Sequence, residues 1–464
     1  MRLGPSSSAL RPGPGKVPAP NYIWRSRGAA VPLLSLPRSG TGATSIPEAE
    51  APLARTDPCV NGDAQAHEYE FLSARRLNVG DAKHPIPLNV LDWESRRYNS
   101  TASNMKETKT IVMQRLSFGG KLDMLPALAS IVTVGILSVL SGFIRSTKDA
   151  PSLYLHIAYA VLRRATKRLS VLQLQWISPP TDKMYERYAR SARVTPQTVD
   201  LGIHGAKGHW IGNKNAKHVL IWYHGGGFCL PANLGYFKFW ADVVSSSRAA
   251  GKDVAVFALT YTLAPHARYP TQLTQAVEAL RYVLAQKRQR PSQIFLGGDS
   301  AGGNLAVGVL SHLAHPHPAI QELKLEEPLA GTALIAPWTS LDENHSQEKV
   351  YSGGDLITPF VGKPWSRHYL NGTARDYYTD ASLAPSSWFE TYPVKQILVL
   401  GGGNEVLLPI IEDFVEKLKG GFPSVEFFIG KREAHVAPVY NLYVGDSTET
   451  QQGKKLKTWL KELL

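Results

Sequence analysis

Cysteine is almost absent. Cys59 and Cys229 are the two in 464 residues, too few for a disulfide scaffold or for a zinc or iron–sulfur centre built from thiolates. The redox compartment is therefore not legible from cysteine usage. No basic block stands out either. The formal charge of +13 is split between +6 over residues 1–121 and +7 over the rest, so a nucleic-acid partner is not indicated. The phosphate-loop pattern G-x-x-x-x-G-K-[ST] does not occur, and no G-x-G-x-x-G follows a candidate strand, so nucleotide-binding readings fall away. Neither a metal nor a cofactor is expected.

What remains is a globular balance, 43% hydrophobic and 19% charged, within which three regions differ. Residues 1–104 begin MRLGPSSSALRPGPGKVPAPN and stay rich in Pro, Gly, Ser and Ala, with no acid before Glu48. Three readings stand here: a disordered leader, a transit peptide, or a chain that starts at Met105 or Met113. Asn99, followed by Ser and Thr, is a glycosylation pattern in this part.

The second region is MLPALASIVTVGILSVLSGFI, Met124 to Ile144, 21 residues without a charge. About 20 apolar residues cross a bilayer as a helix. The alternative is a buried core helix, but no polar stripe interrupts the run. Residues 122–145 are thus expected to form a single-pass membrane anchor, in the endoplasmic reticulum. Lys106, Lys109, Arg115 and Lys121 precede it and Arg145, Lys148, Arg163 and Arg164 follow, so the positive-inside rule leaves the orientation open.

The third region begins with helical spacing through Pro151–Val194 and changes near Thr195 to short strands alternating with helices. Expected strands are Val199–Ile203, His209–Ile211, His218–Tyr223, Val254–Leu259, Ile294–Gly297, Gly331–Ile335, Gln396–Leu400 and Val425–Ile429. Helices are expected at Gln272–Gln286 and Pro409–Lys419. Such alternation predicts an α/β fold with a mostly parallel sheet.

Two glycine-rich elements follow strands. GGDSAGGN, Gly297 to Asn304, contains G-x-S-x-G between a strand and a helix, the setting in which a serine sits exposed on a tight turn. HGGGF, His224 to Phe228, follows VLIWY. A glycine run there can aim backbone N–H groups at a developing oxyanion; an ordinary turn is the plain alternative. Ser300 needs a base, and the base needs an orienting acid. Of the downstream histidines, His435 lies just past a last strand. His312, His315 and His317 fall on or after the helix behind Ser300 and are expected at the surface. Glu405 follows the preceding strand. Asp376, Asp380 and Asp413 are the other acids considered.

With HGGGF, YTLAPHARYP (Tyr261–Pro270), GDSAGGN, Glu405 and His435 in that order, the chain from about Lys183 to Leu464 resembles the hormone-sensitive-lipase-like α/β hydrolases. Within them it looks like the branch of fungal steryl acetyl hydrolases and arylacetamide deacetylases. The resemblance implies an α/β-hydrolase fold with a helical cap, Ser300 as nucleophile, His435 as base and Glu405 as acid. Glu405 departs from that family's usual Asp. The resemblance also implies oxyanion donors at Gly226, Gly227 and Ala301, with Asp299 and His224 organising them. A leader of a hundred residues is not usual in the family, which favours the late start.

The resulting division is a leader 1–121, an anchor 122–145, a helical cap region 146–194 and a catalytic domain 195–464 with a cap insertion at about 337–393. The insertion is rich in aromatics: Trp338, Tyr351, Phe360, Trp365, Tyr369 and Tyr377, with Tyr378, Trp388 and Phe389 beyond. Most are expected to pack, a minority to line an acyl or alcohol pocket. Asn344 and Asn371 match the glycosylation pattern. The expected activity is hydrolysis of a carboxylic ester on a small lipophilic alcohol, such as an acetylated sterol or secondary metabolite. The rivals are a lactone hydrolase, an amidase or an acyltransferase with the same residues, or a ligand-binding module without turnover.

Overall fold

The structure, a computed structural model, describes residues 113–287, 289–342 and 354–464. The expectations for residues 1–104, Asn99, Asn344 and Tyr351 lie outside these. The described residues belong to one compact unit within His84–Leu464.

Five helices come first: α1 (Phe118–Leu122), α2 (Met124–Ser141), α3 (Leu153–Arg168), α4 (Val171–Ile177) and α5 (Thr181–Ala192). Ser152 and Ser170 cap α3 and α4 by accepting from the backbone N–H groups of Leu155 and Gln173, and the Gln173 side chain returns the bond to Ser170 N–H. Each cap satisfies donors that a helix start leaves orphaned. The helical stretch Phe118–Ile144 spans 27 residues and holds an 18-residue window with a mean hydropathy of 2.2, long and apolar enough to cross a membrane.

Eight strands follow: β1 (Thr198–Asp200), β2 (Lys207–Ile211), β3 (His218–Tyr223), β4 (Val254–Thr260), β5 (Ile294–Asp299), β6 (Gly331–Ile335), β7 (Ile397–Gly402) and β8 (Val425–Gly430). They form one sheet in the order β1-β2-β4-β3-β5-β6-β7-β8, antiparallel at β1–β2 and β2–β4 and parallel from β4 onward. All eight expected strands are present. The first is shorter than expected because Gly202, His204 and Gly205 take positive φ and turn the chain after Asp200.

The inner strands β3, β5, β6 and β7 are buried at every position. That is why they read as continuous apolar runs, a mark of parallel strands covered on both faces. The covering helices are α6 (Leu234–Ala249), α7 (Thr271–Lys287), α8 (Ala301–Ala314), α9 (Gly362–Leu370), α10 (Leu408–Gly421), α11 (Ala437–Val444) and α12 (Gln451–Leu463). Order 4-3-5 across the sheet centre brings the carboxyl ends of β3 and β5 side by side, and those of β7 and β8 lie two and three strands beyond β5. In open α/β sheets such ends are where ligands bind.

Candidate functional site

Ser300 occupies the single residue between β5 and α8. Its backbone stands at φ 52°, ψ −120°, a conformation that costs a non-glycine residue roughly 1–3 kcal/mol. The surroundings hold it there. Ser300 N–H donates to Ile335 O at 2.9 Å, and Ser300 O accepts from Asn304 N at 3.0 Å and Trp338 N at 3.0 Å. Asn304 in turn donates its amide to Trp338 O and Thr379 O, so the last residue of GDSAGGN locks the loop after β6. The turn also needs Gly302: a Cβ there would stand 1.9 Å from Tyr223 O. The helix behind Ser300 can approach β3 only without a side chain.

The loop after β3 lies beside this turn. Gly226 and Gly227 have φ of 98° and 58°. Both line the same cavity as Ser300. Asp299, fully buried, fixes the loop by accepting from Gly225 N at 3.1 Å, Tyr236 Oη at 2.6 Å and Trp222 Nε1 at 3.0 Å. Burial raises its carboxyl to about 6 despite those three donors. His224 is buried, stacks on Tyr261 at 4.3 Å and bonds Gly225 O through Nδ1. Burial lowers its imidazolium to about 4, so it stays neutral near pH 7 and acts as a spacer under the loop. Ala301 is the first residue of α8, where an N–H has no intrahelical acceptor and the helix dipole is positive.

Glu405 and His435 arrive from the loops after β7 and β8. His435 Nδ1 and Glu405 Oε1 are 3.1 Å apart, with side-chain exposures of 5% and 0%. The second Glu405 oxygen accepts from Gly402 N–H. The longer glutamate side chain thus folds back on its own turn. Burial opposes charge on His435, yet the bonded Glu405, with Asp355 and Asp299 nearby, outweighs it, and the imidazolium is held above the ordinary histidine value. Burial also raises Glu405, in part offset by His435. Ser300 and His435 line one cavity, and no hydrogen bond joins them among the described residues. Such bonds are often long before substrate is bound.

One residue of this site escaped sequence reasoning. Asp355, in the insertion, is fully buried. Its Oδ1 accepts from His435 N and Leu356 N at 2.8 and 2.7 Å, and its Oδ2 from Val406 N at 2.8 Å. One carboxylate therefore ties the backbone of His435 to the residue after Glu405. The only signal in the sequence is an acid between apolar residues, GGDLI, in a stretch read for its aromatics.

The rejected acids are engaged elsewhere. Asp376 accepts from Tyr269 Oη, Asp380 pairs with Arg375, and Asp413 pairs with Lys417 on the surface of α10. The expectation that His312, His315 and His317 sit at the surface is wrong for two of them. His312 is buried because α8 is covered on all sides, and His317, past the end of that helix, is buried against Tyr269 and Tyr378. His312 Nδ1 accepts from His317 N, and His317 meets Tyr269 Oη. His315 stacks on Trp388 at 3.8 Å.

The cavity above Ser300 has a volume of about 260 Å³. Its roof comes from α3 and α4 (Leu162, Leu174, Ile177) and from the insertion (Trp338, Ile357, Trp365). Of the insertion's aromatics, Trp338 and Trp365 reach it. Tyr369 stacks on Phe228 at 3.6 Å in the core, Phe389 is buried, and Tyr377 and Tyr378 pack on Trp388. Phe360 is exposed, with Lys167 over its ring at 4.7 Å. Among the described residues no cluster of His, Cys, Asp and Glu could hold a metal ion.

Residues 220–438 match the family described as alpha/beta hydrolase fold. This segment has the α/β-hydrolase fold. The hydrolase domain is similar to "Arylacetamide deacetylase" of Bos taurus, 32% identical over 118 residues (24% of this chain, 29% of the relative). It is also similar to "Steryl acetyl hydrolase 1" of Saccharomyces cerevisiae, 30% identical over 140 residues (29% and 30%). "Probable carboxylesterase 6" of Arabidopsis thaliana is 34% identical over 140 residues (28% and 38%). The chain thus spans well under half the length of each of these relatives. Among solved structures, an esterase of the bacterial hormone-sensitive lipase family covers 68% of this chain and 99% of its own at a TM-score of 0.51 and 21% identity. The esterase LipW from Mycobacterium marinum covers 68% and 96% at 0.51 and 18%. Both share the fold.

Proposed function

We propose that this chain is a serine carboxylic-ester hydrolase, in which Ser300 is the nucleophile, His435 the base and Glu405 the acid that orients it. The observation that carries this is the buried His435–Glu405 pair at 3.1 Å, whose His435 lines, together with a strained Ser300, one cavity mostly apolar in its walls. A neutral His435 Nε2 takes the Ser300 hydroxyl proton as Oγ bonds to the ester carbonyl carbon. The N–H groups of Gly226, Gly227 and Ala301 hold the oxyanion, each such donor being worth about 2.7–4 kcal/mol. Collapse breaks the carbon–alkoxy bond, and His435 gives its proton to the departing alcohol. Water then attacks the acyl-enzyme, losing a proton to His435; the bond from Ser300 Oγ to the acyl carbon breaks, His435 returns the proton to Oγ, and the carboxylic acid leaves.

The substrate is proposed to be a short acyl ester, an acetate above all, of a lipophilic alcohol such as a sterol or secondary metabolite. The apolar roof from α3 and α4 would take the alcohol and the space under Trp365, beside Gly227, the short acyl group, and the names of the relatives point to deacetylation. The same reading makes 122–145 the membrane attachment, 146–194 and 337–393 the cap, and 195–464 the catalytic domain, with the endoplasmic reticulum as compartment. Asn371 is exposed at the end of α9. A glycan there would report a lumenal catalytic domain.

Incubation of the intact protein with an alkyl fluorophosphonate, followed by peptide mass mapping, tests the assignment. A single phosphonyl adduct on the peptide containing Ser300 is expected. No adduct, or one at another serine, would overturn it.

A further inference from the structure

Helix α2, the apolar helix, does not stand free of the protein. It runs antiparallel to the cap helix α3 along its whole length. At one end the Asp123 carboxylate accepts from Arg168 Nη1 and Nη2 at 2.9 and 2.5 Å and from Gln173 Nε2 at 3.0 Å. In the middle Arg164 Nε donates to Ser130 Oγ at 3.2 Å, and a Cβ on Gly135 would lie 3.3 Å from Val161 Cγ2. At the other end Ser141 Oγ and His156 Nε2 are 3.1 Å apart, and a Cβ on Gly142 would meet Leu153 Cδ1 at 2.2 Å. The covered residues Met124, Ala127, Ser138 and Gly142, with half-covered Ile131 and Gly135 between, recur at helical spacing. The opposite face is bare: Leu125, Val132, Ile136, Leu140, Phe143 and Ile144 are 60–85% exposed.

α3 is bound in turn to the hydrolase domain. Tyr159 Oη bonds Asn441 Oδ1 at 2.5 Å, and Arg163 donates to the carbonyl of Asp355. α3 also carries Arg163, Arg164, Lys167 and Arg168. A bilayer crossing by α2 with α3 in place would carry those cations into hydrocarbon, where charge is costly. A crossing without α3 would strip Asp123, Arg168 and Gln173 of each other.

We propose that α2 is a monotopic anchor: it lies in the plane of a membrane surface, its inner stripe on α3 and its bare face among the acyl chains, and does not cross. The charges fit that occupant. Arg115 and Lys121 flank one end of the bare face and Arg145 and Lys148 the other, the placement that lets long cationic side chains reach anionic headgroups. On α4, Trp176, beside Arg115 and Lys121, and Ile177 are exposed as well, and Ile177 also lines the cavity over Ser300. A lipid-dissolved substrate would therefore reach the site from the acyl layer.

The topology of the full chain in sealed microsomes tests this. Epitope tags at both termini are followed through protease treatment. Both tags lost together, or both protected together, with the chain retained in the membrane pellet, is the expected result. One tag lost and one protected would overturn the proposal, as would recovery of the chain in the soluble fraction as a dimer. A Gly135→Cys, Val161→Cys pair gives an independent reading. Oxidation of the membrane-bound protein should cross-link it intramolecularly, and a pair that stays reduced in membranes while cross-linking in detergent would count against α2 resting on α3. Neither readout depends on ester hydrolysis.

Discussion

At the scale of single residues, three kinds of effect meet around Ser300: strain, a buried charge pair and a carboxylate that joins two loops. The strain has its own signature. Ser300→Gly relieves a positive φ that Ser300→Ala keeps, so the glycine variant should be the more stable of the two by about 1 kcal/mol after the flexibility glycine adds to the unfolded chain. Thermal unfolding of the two variants measures this. Equal midpoints would mean that the backbone at 300 is not strained.

His435 gives a pH dependence of defined sign. Its imidazolium is held above the ordinary histidine value, and the base must be neutral to act. Activity as kcat/KM should therefore fall toward acid with a midpoint above 6.5. Glu405→Gln removes the largest stabiliser of the cation, so that midpoint should move to lower pH while kcat drops by about 10⁴. Asp355→Asn should also lower the midpoint, since Asp355 raises His435 through its charge. The loops carrying Glu405 and His435 would lose their shared anchor as well, and kcat should fall by about 10² with KM little changed. An unchanged pH profile in Asp355→Asn would reduce Asp355 to a packing residue.

The positions of Ser300, Glu405 and His435 were legible because each sits at the end of a strand that the apolar pattern marks clearly. Asp355 was not legible. Its partners are backbone N–H groups of residues 51 and 80 positions away, and nothing in a local pattern announces such a bond. The buried His312 was misplaced for a related reason: a helix covered on every side has no polar face to reveal which way its histidines point, and His317, beyond the helix, is buried by the distant Tyr269 and Tyr378.

At the scale of elements, the strand–turn–helix unit from β5 to α8 is packed closely against β3. Gly302 allows α8 to touch the backbone of β3, and a methyl there would stand 1.9 Å from Tyr223 O, an atom that cannot rotate away. Gly302→Ala is thus expected to destabilise by about 1–3 kcal/mol or more and to lower activity with it. A variant with wild-type unfolding temperature would show that the turn has slack. The sheet itself was legible to within a few residues because β3, β5, β6 and β7 are buried throughout and read as unbroken apolar runs. The helical cap was less so. Helical spacing was visible through Pro151–Val194, but the division into α3, α4 and α5 was not, and which of their residues line a cavity depends on how they lie across the sheet.

At the scale of the whole molecule, a cavity over the carboxyl edge of the sheet is roofed by two segments far apart in sequence, 162–184 and 338–365. A change at the roof should alter substrate choice more than chemistry. Trp365→Ala opens the space against Gly227, whose missing side chain leaves room for that indole. It should raise kcat/KM for longer acyl chains relative to acetate by about tenfold, read from a series of p-nitrophenyl esters. A preference unchanged from wild type would place the acyl chain elsewhere in the cavity. At the same scale the apolar run 124–144 was legible as a candidate membrane helix, while its packing on α3 was not. Its composition is that of a membrane helix, and the small and polar residues of its inner stripe are too few to break the hydropathy.

The central claim is that Ser300 carries out ester hydrolysis, and the most direct measurement is the rate at which the purified protein and its Ser300→Ala variant hydrolyse p-nitrophenyl esters from acetate to octanoate. Loss of the nucleophile should cost on the order of 10⁶ in kcat, leaving the variant at background on every ester while the wild type turns over the short ones. Wild-type rates no greater than those of the alanine variant would contradict the claim.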